Sequence, residues 1–502
     1  MATYTGSGQM HDTQSPSGAF GGDVGVDNIR RTFGIGDKVA ELAPETSIFF
    51  SYLSKLGKKP TDETVWKPLE YRNQWQRRNF KVSWHKLTGP STSDGAAITA
   101  IDNAGASDGS HFIIWTDYDN TGQVTKSAVK PDEASFVGYA PIFLTKNQVV
   151  RLNGVAYKLN AEPQYYKYTG SEAADASTKS AAGTEYGYCT IDFANLTLVS
   201  TNSALGNDFN NGEWDKEGQV IGSQWGEATA APEGFRDELS AVEFYTQIFK
   251  TAVPLMSGSM MATKYRGYAN EWKRIYAEHL KAHKMDLEQA FLFGYGKYNT
   301  ADVRSSWGMI PFLEAKGGKR YELDYDANTG STSDATYDVK GGFCYDVMVD
   351  VMDDFMNWEG GNSGQKLCLT SRKVINSLHK MGAGNFLDNS LEGSDLKTVF
   401  SANLSVKTSS FMPIDITSIS TSWGSMNFVA HPLFRGDMAD KAVCIDLSNV
   451  SLRPLSGNGV SRDTFVETNV QDNDIDGRKD MIITEAGLEV MLPETHAVID
   501  FV

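Results

Sequence analysis

The chain has 502 residues, of which 40% are hydrophobic and 22% charged, and its formal net charge at pH 7 is -17. At about 150 residues per domain this length allows roughly three domains, and the composition is that of an ordinary globular protein. The acidic balance argues against a dedicated nucleic-acid binder, which usually carries a basic stripe. No apolar run approaches the roughly 20 residues of a membrane-spanning helix, and the N-terminus lacks the pattern of a secretory signal.

The first part of the chain predicts an extended arm followed by a short helix. Residues 1–28 are rich in Gly, Ser, Thr and Asp with few apolar anchors, a composition that cannot bury a core. A plain disordered tail is the alternative interpretation. Further on, Pro44 suits a first helical turn, Phe49 and Leu53 fall on one helical face, and Gly57 ends the pattern.

Residues 63–230 predict a β-rich region with long polar loops, because they are dense in Gly, Ser, Thr, Asn and Asp. The pair Asn153-Gly154 stands between alternating runs that begin at Val150 and end at Leu159. Asn-Gly between two such runs is the strongest short-range signal for a β-hairpin. We therefore interpret this region as an inserted β domain.

A strand at residues 243–253 and a long amphipathic helix at residues 265–293 are predicted next. At about 1.5 Å per residue the helix is a rod of roughly 40 Å, far longer than the average globular helix. Its apolar and aromatic residues recur every three or four positions and define one face: Tyr268, Trp272, Tyr276, Leu280, Leu287 and Phe291.

Residues 341–424 predict a compact α/β unit, and residues 425–502 predict a strand-rich segment. Ser371 is placed to cap the second of two helices, which we expect to end at Gly382. The first helix carries one apolar stripe, formed by Met348, Met352 and Phe355.

Candidate sites for chemistry fail on spacing or context. The four cysteines are far apart and form no CxxC pair, which argues against zinc and against a disulfide framework. Residues 472–477 begin like a calcium loop, but Ile483 occupies the twelfth position, where a bidentate Glu is needed. His279 and His283 share a helical face, yet Leu280 replaces the Glu that metalloproteases place after the first His. We therefore predict no catalytic residue, no metal and no cofactor.

An aromatic and arginine-rich segment lies at the start of the β region. Such residues stack on bases and contact phosphates in nucleic-acid binders, but they are also enriched at protein–protein interfaces. We favour the second interpretation and predict loop contacts with a neighbouring subunit through Trp66, Tyr71, Arg72, Trp75, Arg77 and Arg78.

The order of these elements resembles the Johnson fold (the Hong Kong ninety-seven type) of tailed-bacteriophage major capsid proteins. The amino-acid sequence is similar to a podophage-type branch of that family. Three stretches carry the resemblance along nearly the whole chain: residues 243–250, 283–294 and 485–490. None of them is diagnostic alone, since none performs chemistry. No long N-terminal scaffolding domain and no cross-linking Lys–Asn pair can be assigned, although some family members have them.

The resemblance implies an α+β phage-capsid fold with a defined order of domains. The spine helix, residues 265–293, belongs to the first part of the peripheral domain. The full order is an N-terminal arm at residues 1–41, a short helix at 42–62, an extended loop with a β-rich insertion at 63–232, the peripheral domain at 233–340 and 425–502, and the axial domain at 341–424.

By the same resemblance the chain is a non-enzymatic subunit of an icosahedral virion shell. Copies form hexamers and pentamers in the bacterial cytoplasm and enclose double-stranded DNA without reading its sequence. Scaffolding, portal and decoration proteins are the further partners expected, and no membrane is involved.

Two alternatives stay open at this point. An encapsulin-like compartment shell is hardly separable from a phage capsid by sequence, although the large β insertion favours the phage. A carbohydrate-binding or carbohydrate-active protein is suggested by the acidic, aromatic, β-rich first half. The long helix and the missing signal peptide count against it.

Overall fold

The computed structural model describes residues 47–72, 79–86, 110–123, 138–152, 155–168, 174–176, 187–192, 195–199, 216–231, 234–235, 238–264, 270–298, 303–325, 337–356, 364–388, 407–408 and 415–502. The expected arm at residues 1–41 lies outside these ranges. The described residues belong to two compact units. The smaller contains Ala252–Lys281 and Thr468–Met481, and the larger contains Thr46–Thr251, Ala282–Glu467 and Ile482–Val502.

Within the described ranges the helices are α1 (Ile48–Leu56), α2 (Gly258–Ala262), α3 (Glu271–Phe293), α4 (Met309–Ala315), α5 (Tyr345–Phe355) and α6 (Arg372–Asp388). None of them is long and apolar enough to cross a membrane. The described chain thus combines a few helices with extensive sheets, which confirms the predicted mixture of helix and strand.

The strands are, in chain order, β1 (Val65–Trp66), β2 (Leu69–Glu70), β3 (Asn79–Lys86), β4 (Ser110–Trp115), β5 (Gln148–Leu152), β6 (Val155–Leu159), β7 (Gln164–Tyr168), β8 (Ala174–Ala176), β9 (Gly187–Asp192), β10 (Leu196–Leu198), β11 (Lys216–Ser223), β12 (Ser240–Ala241), β13 (Phe244–Tyr245), β14 (Gln247–Ala252), β15 (Lys297–Tyr298), β16 (Arg304–Ser305), β17 (Lys319–Asp324), β18 (Val339–Gly342), β19 (Gln365–Thr370), β20 (Lys407–Thr408), β21 (Asp415–Ser420), β22 (Ser425–Ala430), β23 (Lys441–Ile445), β24 (Val450–Pro454), β25 (Ser456–Gly457), β26 (Val460–Ser461), β27 (Phe465–Glu467), β28 (Met481–Val490) and β29 (Ala497–Phe501).

Helix α1 begins at Ile48 and buries Phe49 and Leu53, as the sequence pattern predicts. The Phe49 N–H lies in the first turn, where the helix itself offers no acceptor, and it donates to Glu288 Oε1 at 2.8 Å. A carboxylate in this position satisfies the donor and interacts favourably with the positive end of the helix. Helix α1 ends before Gly57, whose φ of 103° only glycine adopts readily.

Helix α3, the predicted spine, begins at Glu271 and not at residue 265. Asn270 is not helical, and its Oδ1 accepts the Lys273 N–H at 3.1 Å, so it caps the helix. Arg274 pairs with acidic residues on both sides, Glu271 and Glu278. The helix ends at Phe293, as predicted, and at about 1.5 Å per residue its length is roughly 35 Å.

The smaller unit contains few buried side chains. The segment after β14 pairs with residues 468–481, since the Val253 N–H donates to Asp480 O at 2.8 Å and Met256 forms a β-bridge with Arg478. The Arg478 guanidinium lies 5.1 Å from the centre of the Trp272 ring and pairs with the buried Asp480 carboxylate at 2.8 Å.

The β insertion contains a nine-stranded antiparallel sheet in the order β10-β6-β5-β11-β3-β4-β9-β7-β8. β5 and β6 pair as a hairpin with Leu152 opposite Val155, which confirms the hairpin predicted around Asn-Gly. Gly218 in β11 permits close packing, since a Cβ there would lie 2.1 Å from the Phe80 ring. The sheet has its own core, which includes Phe112, Ile114, Phe143, Val150, Leu159 and Cys189.

The α/β part of the larger unit is a mixed eight-stranded sheet in the order β18-β17-β29-β23-β19-β22-β21-β20. Its core includes the predicted stripe of α5, namely Met348, Met352 and Phe355. Ser371 caps α6 as predicted, because its Oγ accepts the Val374 N–H at 3.4 Å. The helix continues past Gly382 to Asp388, so the expected end was wrong; one glycine weakens a helix without ending it.

A third core joins α1, the C-terminal part of α3, α4 and the sheet β14-β28-β24. The predicted single strand at residues 243–253 is two strands here. Thr246 separates them, and its N–H donates to Thr64 O at 3.0 Å. The chain therefore changes partner, with β13 on β1 and β14 on β28.

We predict that Phe291→Ala lowers the free energy of unfolding by about 3–5 kcal/mol, because it empties space in this core. Phe291 is fully buried and packs edge-on against Phe249 at 6.0 Å. The matched variant Trp272→Ala changes a half-buried ring and should lower the free energy of unfolding by clearly less, about 1 kcal/mol. Urea unfolding followed by far-ultraviolet circular dichroism measures both, and equal costs would contradict the different burial of the two rings.

Candidate assembly surface and its buried anchors

The β insertion leaves and rejoins the body of the larger unit through one two-stranded ribbon, here called the stem ribbon (residues 65–72 and 239–245). Two short antiparallel ladders build it, with Val65 opposite Tyr245, Trp66 opposite Phe244, Leu69 opposite Ala241 and Glu70 opposite Ser240. The register is the same in all four pairs, so the ladders form one continuous ribbon. Alternate residues on each strand therefore share a face.

The inner face of the stem ribbon carries a buried ion-pair cluster. Arg72 Nη2 lies 2.7 Å from Glu70 Oε2, and Arg72 Nε lies 2.8 Å from Glu494 Oε1. Arg72 Nη1 also donates to Ser240 Oγ at 2.6 Å, across the ribbon. The second oxygen of Glu70 accepts the N–H of Leu492 at 2.7 Å, and Leu492 has the unusual φ of 51°. The cluster thus joins both strands of the ribbon to residues 492–494.

The charge state of this cluster follows from its contacts. Burial by itself lowers the pKa of the Arg72 guanidinium, but the charges and hydrogen bonds of Glu494 and Glu70 outweigh burial, and the pKa is raised. Arg72 is therefore a permanent cation held between two carboxylates. Its planar donor set suits this arrangement, since a guanidinium can bind two carboxylates at once.

Trp66 provides a second anchor on the inner face. Its indole Nε1 donates to Glu489 Oε2 at 2.9 Å, and its ring stacks on Phe244 with centroids 6.0 Å apart. Glu489 is fully buried and also accepts from Arg453 Nε at 2.8 Å. A buried charge is tolerated when it is paired and hydrogen-bonded in this way.

The outer face of the stem ribbon has the opposite character. Lys67 and Glu243 form a pair at 2.6 Å near the body of the unit. Beyond this pair the outward side chains are apolar or aromatic: Leu69 is 62% exposed, Tyr71 55% and Leu239 52%.

A further buried cluster lies at the sheet end shared by β19 and β23. Lys366 Nζ donates to Asp446 Oδ2 at 2.8 Å and to Thr495 O at 3.1 Å, and both side chains of the pair are buried. Burial raises the pKa of Asp446, but hydrogen bonds from Lys366 and Ser448 outweigh it and hold this pKa well below its usual range. His496 Nδ1 accepts the Asp446 N–H at 3.0 Å. Burial, and then the nearby Lys366 charge, lower the pKa of His496 to about 3.

A cavity of about 720 Å³ borders this cluster. Among the described residues that line it, Lys366 and Asp446 are the charged ones, and they pair with each other. Across the described ranges, no three His, Cys, Asp or Glu residues form a group that could hold a metal ion. The cavity is lined largely by hydroxyls and amides: Gln365, Ser418, Ser420, Ser425, Asn427 and Ser448.

The residues that the sequence predicted for subunit contacts differ in their surroundings in the structure. Trp66 and Arg72 use their polar groups inside the chain, whereas Tyr71 is exposed. Trp75, Arg77 and Arg78 lie outside the described residues. A role of these six residues in subunit contacts stays a prediction.

The residues on the predicted face of the spine helix differ in burial. Leu287 and Phe291 are buried, while Trp272, Tyr276 and Leu280 are half-buried. Tyr268 lies outside the described residues. Of the buried polar residues of this helix, sequence reasoning missed Glu288.

The charged anchors were also missed, although the sequence holds a signal for some of them. Glu485 and Glu489 interrupt the apolar strand β28 four positions apart, which puts them on one face. A charge inside a strand that is otherwise buried indicates a partner. The partners themselves are not visible in the sequence, because Arg462 and Arg304, which pair with Glu485, lie 23 and 181 residues away from it.

Comparison with known proteins shows that the chain is a viral shell protein with a structural role. The sequence profile of the SU10 major capsid protein family matches residues 34–502. The chain therefore belongs to the SU10 major capsid protein family, and the predicted resemblance to phage major capsid proteins is confirmed. This membership decides against the carbohydrate-active alternative. No curated protein matches the chain.

Solved structures give only distant similarity. The capsid of cyanophage P-SCSP1u is 13% identical, with 56% of this chain and 80% of that chain covered and a TM-score of 0.34. The capsid of Myoviridae phage XM1 is 12% identical, with 60% and 81% covered and a TM-score of 0.33. The holo-SrpI encapsulin complex from Synechococcus elongatus PCC 7942 is 11% identical, with 52% and 77% covered and a TM-score of 0.31. Similarity at this level adds nothing to the family assignment.

The anchor of the stem ribbon leads to a stability prediction. Arg72→Met should lower the free energy of unfolding by about 3–5 kcal/mol, because it leaves the Glu70 and Glu494 carboxylates buried without a cation. The triple variant Arg72→Met, Glu70→Gln, Glu494→Gln should recover a large part of this loss, since it removes both charges. Urea unfolding measures the two variants, and a triple variant no more stable than the single one would argue against the ion-pair explanation.

The buried His496 predicts a pH dependence. The unfolded chain binds a proton on this ring near pH 6.5 and the folded chain only near pH 3, so unfolding takes up a proton between these values. The stability that neutral His496 contributes is thus fully present above about pH 6.5 and is lost as the pH falls toward 3.

The expected loss is about 1.4 kcal/mol for each pH unit in this window. His496→Gln removes the titrating group, so its free energy of unfolding should fall less steeply than that of the unchanged chain between about pH 7 and pH 5. Parallel curves for the two proteins would show that His496 is not protonated on unfolding.

Proposed function

We propose that this capsid subunit assembles into hexamers and pentamers of an icosahedral phage shell that encloses double-stranded DNA. The observation that carries the proposal is the family match over residues 34–502. Scaffolding, portal and decoration proteins are the partners expected during assembly in the bacterial cytoplasm. The DNA is enclosed without sequence readout, in keeping with the acidic net charge of -17.

The same proposal assigns roles along the chain. Residues 1–41 act as the N-terminal arm, and residues 63–232 form the extended loop with its β insertion. Residues 233–340 and 425–502 form the peripheral domain around the spine helix, and residues 341–424 form the axial domain. The buried anchors of the stem ribbon support the second of these assignments, since they fix the insertion as one arm of the subunit.

Shell formation follows physically if many weak contacts act together. Linked contacts raise the effective concentration for each further one, so a closed shell is stable although each contact is modest. Weak single contacts also let misplaced subunits dissociate. The acidic charge keeps free subunits soluble until they assemble.

The direct test is electron microscopy of the purified chain, expressed with and without a candidate scaffolding protein. We expect closed polyhedral shells, or hexamers and pentamers, at least when the scaffolding protein is present. A protein that stays monomeric under both conditions would refute the proposal. Shells that package an enzyme and no DNA during infection would instead indicate an encapsulin-like compartment.

A further inference from the structure

The stem ribbon is apolar on the side that faces solvent and charged on the side that faces the protein. The ladder pairs Leu69 with Ala241 and Glu70 with Ser240, and Tyr71 and Leu239 are the next residues along the same two strands. Continuing this register by one residue sets Tyr71 opposite Leu239 and makes Leu69 the diagonal neighbour of Leu239. Such neighbours have Cβ atoms within about 5–8 Å, so the three side chains form one patch. Single exposed apolar residues are common on proteins, but a contiguous group on an exposed ribbon indicates a binding surface.

The chain cannot cover this patch by turning the ribbon over. A rotation or a one-residue slip would exchange the two faces of both strands. It would bring Glu70 and Arg72 out of their pairs and leave Glu494 buried without its cation. Breaking the buried ion pairs is costly, and turning the ribbon would also withdraw the Trp66 indole from Glu489 and from Phe244, so these losses together oppose the gain from burying three half-exposed side chains. The anchors on the inner face therefore keep the patch exposed on the isolated subunit.

We propose that the patch formed by Leu69, Tyr71 and Leu239 is a contact surface for a second copy of this chain in the shell. The inference rests on the proposed function and specifies one of its contacts. Of the residues predicted for subunit contacts it includes Tyr71, while Trp66 and Arg72 hold the ribbon from inside.

Charge favours another copy as the occupant. With a net charge of -17, two copies repel each other over most of their surfaces. The patch has no charged side chain of its own, and the neighbouring Lys67 and Glu243 neutralise each other at 2.6 Å. Two acidic copies therefore approach here with little repulsion.

The size of the patch points to the same occupant. Three side chains offer far less than the roughly 800 Å² per partner that a stable isolated dimer needs. The contact is therefore too small to hold two free subunits together, but it suits a shell in which each subunit makes many contacts at once.

The test compares two double variants in the shell assembly assay. Leu69→Ser with Leu239→Ser removes the patch, whereas Leu56→Ser with Leu198→Ser changes two leucines that are 50% and 44% exposed elsewhere. Both proteins should fold, because only exposed side chains change. At a fixed subunit concentration, we expect the shell yield of the first variant to fall by about tenfold or more, and the control to assemble normally. Equal assembly of the two variants would overturn the inference and leave the proposed function intact.

A cross-linking measurement identifies the occupant. In assembled shells, Leu239→Cys treated with a short thiol-to-amine reagent should join one copy of the chain to another, which a denaturing gel will show as a covalent dimer of twice the subunit mass. Links only to the scaffolding protein, or only within one chain, would overturn the inference. If the unchanged chain forms no shells at all, the proposed function and the inference fail together.

Discussion

Arg72 holds two carboxylates, Glu70 and Glu494, at the point where the β insertion joins the body of the larger unit. The joint consists of two strands, so few other contacts can fix the direction of the whole insertion. A guanidinium between two carboxylates has a planar, directional set of donors, and this makes the joint specific in angle as well as in distance. The side of the ribbon that faces solvent, and with it the exposed patch, depends on a ribbon held in this way.

The same principle recurs along β28. Glu485 and Glu489 lie on one face of this strand, are buried, and pair with arginines from other parts of the chain. Buried ion pairs add little net stability compared with apolar side chains, but removing one partner is costly. Their effect is therefore to exclude other registers, because a slip of one residue would move both charges away from their partners.

The buried ion pairs also affect the surface, because the carboxylates that they contain are not exposed to solvent. The chain is strongly acidic, yet several of its carboxylates are neutralised inside the protein by Arg72, Arg453, Lys366 and others. What remains outside is an acidic surface with local uncharged patches. A shell protein needs this combination, since it must stay dissolved as a free subunit and still associate at defined places.

Much of the local structure was predictable from sequence. The spine helix, the Asn-Gly hairpin, the α5 stripe and the Ser371 cap follow from periodicity and from local hydrogen bonding, which act over a few residues. The errors occurred at ends and breaks. Helix α3 begins at Glu271, helix α6 continues past Gly382, and Thr246 divides a predicted strand. Asn270 caps α3 locally, and glycine weakens a helix without ending it, whereas at Thr246 a contact from outside the segment, with Thr64 O, breaks the strand.

By itself, then, the sequence determined the class of fold, the positions of the main elements and the membership of a capsid family, because these depend on composition, periodicity and the order of segments. The tertiary structure alone decided which side of the stem ribbon faces inward. Trp66 and Arg72 direct their polar groups inward to Glu489 and Glu494, which lie more than four hundred residues away. Pairing at that distance depends on how the whole chain folds, and no local pattern records it.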